Sequence, residues 1–398
     1  MYIGLDPENK RGNMRREGIT QCITVSMAIG LLTLGQTYGA QGKGPFAEKA
    51  SGQEEGGRVP QKPEVWLCPP GDKVFDLLSE EQKWDYSMNR LAGLKLYGRL
   101  FQQSKPDDLV HLAKFVKAHR LRIAVECGGT LNHDWQDQAG EKSAEVELRQ
   151  LEPWYRAGGK VDYLDLDGPE RRLLGFDGWG KDPNKRFVSI ESCARQLAIY
   201  MKAVRKAHPE IQFFLLTNFP NWGYKGEVSY HGHGPQKQDW GDYAEVVKIL
   251  LSVIESEGLS FAGATVDNPY EYAIGSYKSA TLPDPSKINW IGRIRDYEEF
   301  CRTRKLGFNL IINSETGGRL SDKEFFERTL HMLDLYTQAG GRPTRYFVQS
   351  WYDYPKTIVP ESSPFSMTAL TKTVLERLEK MTVRAEPVAP ADTDKLRR

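Results

Sequence analysis

The sequence predicts an α/β chain of the (β/α)8 barrel class, a single domain over residues 63–383, and three observations predict it. Short apolar runs recur with starts 28 to 50 residues apart between residues 64 and 351. The stretches between them carry apolar residues at three- and four-residue spacing, the helical period. No shift in composition divides that region into two domains, and its length and its count of strand-helix units match an eightfold barrel. A doubly wound open sheet is the structural rival. It fits less well, because the first strand-to-helix turn has no glycine-rich phosphate fingerprint and eight units make an unusually wide open sheet.

The segment ahead of the barrel comes first. Met14, Arg15 and Arg16 form a short basic start, followed by the weakly apolar ITVSMAIGLLTLG and small residues through Ala40. Residues 1–40 therefore read as a secretory signal peptide, with an unstructured extension as the rival, and the apolar core is too short for a membrane span. Residues 41–62, rich in Gly, Gln, Lys and Glu without periodicity, read as a flexible linker. Residues 384–398, RAEPVAPADTDKLRR, read as a disordered tail.

The eight strand candidates are EVWLC (64–68), GLKLYG (93–98), LRIAVEC (121–127), VDYLDLD (161–167), IQFFLLTN (211–218), FAGATVDN (261–268), GFNLIINSE (307–315) and RYFVQSW (345–351). Of the helical stretches between them, PDDLVHLAKFVKAHR opens on Pro106 with Asp107 and Asp108, favourable N-terminal chemistry. DKEFFERTLHMLDLYTQAGG closes on Gly340 and Gly341, a stop signal. Cys22 falls in the signal segment, while Cys68, Cys127, Cys193 and Cys301 form no CxxC pair. They read as buried free thiols, with a disulfide after export as the alternative.

Composition narrows the function classes. Lys+Arg 54 against Asp+Glu 53 leaves a formal net charge of +1, so no global field exists to hold nucleic acid. Nine Trp, 18 Tyr and 16 Phe supply more aromatic surface than a core requires. Spare rings suit a sugar cleft, because pyranose faces present C–H groups to stack on them.

In a barrel of this class the chemistry sits where the strands end. Those ends are polar and aromatic here: Tyr97; Glu126, then His133 and Trp135; Asp165, Asp167 and Glu170; Asn218 and Trp222; Asp267 and Glu271; Glu315; Gln349, Trp351 and Tyr352. The ring resembles the active face of the (β/α)8 glycoside hydrolases, most closely those of clan A. In that clan a general acid/base closes strand four, commonly in an Asn-Glu-Pro turn, and a nucleophilic glutamate closes strand seven. IINSETGG places Glu315 where the nucleophile stands, and QSWYDYP supplies Trp351 after strand eight. The resemblance implies a secreted hydrolase of oligo- or polysaccharides with no cofactor. Two carboxylates are wanted because the bond breaks through an oxocarbenium-like state: one group protonates the departing oxygen and the other attacks the anomeric carbon or activates water.

The chain departs from the clan pattern at strand four. Asp167-Gly168-Pro169 puts glycine where the acid stands. Three readings follow: Asp167 or Glu170 takes the acid's place, another strand end such as Glu126 or Asp267 supplies it, or the barrel binds sugar without cleaving it. The candidate catalytic residues are thus Glu315, Asp167 and Glu170. The candidate substrate contacts are Glu126, Asp165, Tyr97, His133, Trp135, Asn218, Trp222, Asp267 and Trp351. No metal is expected: WLCPPGD lacks the His-x-His of metal-dependent barrel hydrolases, and His231 and His233 lie in a glycine-rich loop rather than on a strand. Gly317 and Gly318 offer a phosphate loop, which Glu315 opposes electrostatically. Lys95 and Arg122 lie within strands with either facing open, and Arg171 and Arg172 neutralise the acidic loop before them.

Overall fold

The computed structural model describes residues 62–79, 83–127, 131–174, 189–231, 241–277, 282 and 284–385. The expected signal peptide, the linker up to residue 61, the tail beyond Ala385 and His233 lie outside the described residues. The eight runs become eight strands: β1 Glu64–Cys68, β2 Gly93–Tyr97, β3 Arg122–Cys127, β4 Tyr163–Asp167, β5 Gln212–Asn218, β6 Gly263–Asp267, β7 Gly307–Ile312 and β8 Arg345–Gln349. All neighbours pair in parallel, and β8 returns to β1, from Glu64↔Arg345 to Cys68↔Gln349, to close the barrel. Closure leaves no exposed sheet edge. The expected (β/α)8 class is the observed one.

The helices follow their signals. Pro106–Ala118 begins with proline at its first turn and Asp107 and Asp108 beside it. Asp322–Gln338 is capped by Ser321, whose Oγ accepts from the Glu324 amide at 3.1 Å. Cys68, Cys127, Cys193 and Cys301 are buried free thiols. No described helix is long and apolar enough to cross a membrane.

Strand side chains alternate between the two faces, and here the alternation separates two cores. Leu94, Leu96, Ile123, Val125, Leu164, Leu166, Phe213, Leu215, Leu310 and Val348 point outward and join the large core beneath the helices. Trp66, Ala124, Tyr163, Phe214, Leu216, Ile311 and Phe347 point inward and form a small core of their own. Its rings meet across the barrel, Trp66 to Tyr163 at 5.8 Å and Phe214 to Phe347 at 6.4 Å. Trp66 fits because β2 opens on Gly93, where a Cβ would stand 2.4 Å from the indole.

The inner phase also carries charge. At the strand starts, Glu64 bridges Arg122 at 2.8 Å and Arg345 at 3.0 Å. Halfway up, Lys95 is wholly buried, 2.7 Å from both Glu126 and Asp165 and 4.9 Å above the Phe347 ring. Burial opposes its charge, but Asp165 and Glu126 outweigh that cost and hold it protonated. Lys95→Met leaves two carboxylates buried without their cation. It should lower the unfolding free energy by about 3–5 kcal/mol in urea titrations, and a loss below 1 kcal/mol would contradict the ion triad.

Candidate active site

Above Lys95 the inward phase presents Tyr97, Glu126, Asp167, Asn218, Asp267, Asn313 and Gln349 at the C-terminal mouth of the barrel. Glu126 is the tallest member of the triad and accepts from Gln349 Nε2 at 2.9 Å. Tyr97 donates its hydroxyl to the Ser350 carbonyl at 3.1 Å, which ties β2 to the loop after β8. Asp165 lies beneath with no exposed surface, so it supports the site through Lys95 rather than touching a substrate.

Asp167 is tightly held. Arg171 and Arg172 meet its carboxylate at 3.0 and 2.7 Å, and Asn218 Nδ2 donates to it at 3.0 Å. Burial alone raises its titration, but the two guanidiniums prevail and bring it to about 2. An acid that gives up its proton there cannot protonate a leaving group at neutral pH. The clamp also explains Gly168. Its φ is +55°, and a Cβ would stand 2.2 Å from Arg171 Nε, so the turn that aims Arg171 at Asp167 favours glycine.

Glu170 is one of the sequence candidates that the structure removes from the mouth. It lies in the helix Pro169–Leu174, buried, and raises the titration of Cys193, Tyr243 and Tyr297, which belong to the helical layer outside the barrel. Among the described residues, no side chain hydrogen-bonds its carboxyl. Burial pushes it up to about 8, against weaker opposition from its own backbone amide and Arg171. Trp222 is likewise drawn into the outer core, 1% exposed and 5.2 Å from the Tyr243 ring. Trp135 packs half-buried on that same core, and His133 opens the 3₁₀ turn His133–Gln138, its side chain outside the described residues.

Asp267 and Glu315 stand at the ends of β6 and β7. Asp267 is buried, and its carboxylate accepts from Asn313 Nδ2 at 3.2 Å. Burial first, then the nearby Glu126 and Asp167, push its carboxyl up to about 7, with Asn313 and Lys95 opposing. Glu315, two residues beyond Asn313, begins the helix Glu315–Leu320. Its Oε1 accepts from Tyr277 at 3.0 Å and Arg319 at 3.1 Å, and its Oε2 from Tyr272 at 3.1 Å. The two phenol rings stack at 4.4 Å, with His231 edge-on to Tyr272 at 5.5 Å. Burial lowers the His231 titration, with Glu315 opposing. Tyr352 joins the pair electrostatically: after burial, Asp267, Glu315 and Glu271 raise its hydroxyl. Trp351, 38% exposed, stands beside it at 5.4 Å.

Sequence reasoning gave no role to Lys95, with its facing left open, or to Asn313, named only at the end of strand seven, and passed over Tyr272 and Tyr277. Lys95 had a signal, because it sits between Leu94 and Leu96 and a residue between two outward leucines faces inward. Among the described residues, no three His, Cys, Asp or Glu side chains group as a metal cage.

Solved structures share the architecture. The chain is similar to the catalytic domain of a β-amylase from Paenibacillus polymyxa, at TM-score 0.49 and 11% identity over 83% of this chain and 100% of that one. It is also similar to a GH10 endoxylanase from a sugarcane soil metagenome, at 0.43 and 7% over 73% and 86%. A third is a 3-deoxy-D-arabino-heptulosonate 7-phosphate synthase from Thermotoga maritima, at 0.40 and 12% over 83% and 91%. The likeness is one of fold. No family model and no curated protein matches the chain.

Glu170→Gln tests the buried carboxyl. An acid raised from 4.5 to about 8 by folding stays protonated while the unfolded chain ionises, so stability falls as pH rises from 4.5 to about 8. The glutamine variant should match wild type near pH 4 and exceed it by a few kcal/mol at pH 8. Denaturation curves that stay parallel across that range would show that Glu170 does not titrate in this way.

Proposed function

We propose that this barrel hydrolyses glycosidic bonds, with Asp267 as the general acid and Glu315 as the partner carboxylate. The observation that carries the reading is the opposed environment of two carboxyl groups at adjacent strand ends. Asp267 is raised to about 7 by burial and neighbouring negative charge, so it holds a proton near neutrality. Glu315 accepts hydrogen bonds from two phenols and a guanidinium at its two oxygens, an arrangement made for a carboxylate. A carboxyl that keeps its proton beside a carboxylate held as an anion by donors is the division of acid from nucleophile or base.

Asp267 then protonates the departing glycosidic oxygen while Glu315 meets the developing positive charge at the anomeric carbon or activates water there. Asp167, with two arginines on it, serves as a fixed anion whose charge helps keep the Asp267 proton in place. Trp351 offers the exposed ring on which a sugar face stacks. The substrate class is an oligo- or polysaccharide. Action outside the cytoplasm belongs to the same proposal and rests on the basic and apolar pattern of residues 14–40.

Reducing ends released from a panel of glycans provide the assay. Glu315→Gln should lose several orders of magnitude in kcat, on the order of 4 kcal/mol of barrier, with sugar binding kept. Asp267→Asn should lose a comparable factor on natural substrates and recover much of it on glycosides with good leaving groups, which need little protonation. In wild type, kcat/KM should fall as pH rises past about 7, because the acid must carry its proton. Wild-type protein that binds oligosaccharides yet releases no reducing ends would replace hydrolysis with a carbohydrate-binding role.

A further inference from the structure

We infer that Glu271 is the positioning residue of Glu315, holding its main chain from below and its hydrogen-bond donors from above. The inference rests on the role proposed for Glu315. Glu271 lies in the short helix Tyr270–Ala273 after β6 and is 2% exposed. Its Oε2 accepts from the backbone N–H of Glu315 at 3.0 Å. Its Oε1 accepts from the Ser314 hydroxyl at 2.5 Å and from Arg328 Nη1 at 3.3 Å. The peptide that carries the reacting carboxylate is thus fixed by a second carboxylate, whose charge Arg328 answers from the helix Asp322–Gln338.

The same residue acts again through its main chain. The Glu271 carbonyl accepts from the amides of Ser276 at 2.8 Å and Tyr277 at 3.1 Å, closing the turn that delivers the Tyr277 hydroxyl to Glu315 Oε1. Tyr272, the next residue in the chain, brings the other phenol to Oε2. The β6 loop therefore fixes where Glu315 begins and where its oxygens point. A carboxylate suits this position because both of its oxygens accept, and three donors converge on it. An amide there offers one accepting oxygen and turns its N–H₂ toward the remaining donors. A second acid so close to Glu315 is costly in like charge, and the donors and Arg328 are what offset it.

Glu271→Gln is the test, with Arg328→Gln as a second variant should the first fail to fold. With Glu315 displaced by a fraction of an ångström, kcat should fall on the order of 100-fold while KM stays within about twofold. A crystal structure of the variant should show the Glu315 carboxylate out of hydrogen-bonding distance of Tyr272 or Tyr277. Unchanged kcat, a loss explained by a smaller folded fraction, or a Glu315 still bonded to both tyrosines would overturn the inference. If wild type turns over no glycan, hydrolysis falls separately, and the position of Glu315 in the variant structure decides the role of Glu271 by itself.

Discussion

A lysine ammonium sealed inside a barrel has to be answered by negative charge, and in this chain the answer organises the face above it. Lys95 stands on β2 with no exposed surface, and Glu126 and Asp165 meet it from β3 and β4. Glu126 then extends the arrangement to β8 through Gln349, and it is among the charges that raise Asp267 across the mouth. One buried cation thus sets the side-chain geometry of neighbouring strands and the electrostatic level of the carboxyl groups over it. Removing desolvated charge from such a network costs more than the pair contributes when whole, because the remaining charge is stranded.

The carboxyl groups at and behind the mouth are the same chemical group in four different conditions. Two arginines hold Asp167 as an anion, burial and nearby carboxylates raise Asp267, two phenols and a guanidinium surround Glu315, and burial raises Glu170 in the helical layer. Position along the strand decides which condition applies. Asp167 and Asp267 end their strands on the inward phase. Glu170 comes a half-turn later in a helix and faces the outer core. Three positions along the chain therefore separate a group at the mouth from one in the helical layer.

Legibility followed the same physics. The barrel was readable because its strands are short apolar runs bounded by loops, and each of the eight was found where its run lies. Glu315 at the end of strand seven was also readable, since the position is fixed by the strand count. Distinguishing Asp267 from Asp167 was not, because both are aspartates at strand ends and only their partners differ. Those partners, Arg171 and Arg172 against Asn313, are set by the local turn and by tertiary pairing. Trp222 misled for a related reason: it follows a strand end, yet its indole packs back against Tyr243. Aromatic residues near a mouth serve core and cleft alike, and composition does not tell the two apart.

The left-handed turn at Gly168 sets a limit on redesign. A natural engineering step would be to graft the strand-four glutamate of clan A onto this barrel. At position 168 that graft meets a backbone with φ of +55° and a Cβ position 2.2 Å from the Arg171 guanidinium stem. A side chain there meets the Arg171 stem, so Arg171, half of the clamp that keeps Asp167 anionic, has to shift to admit it. An acid introduced at position 168 would therefore bring its own cost in the local turn and in the Arg171 contact, so the two changes would have to be designed together.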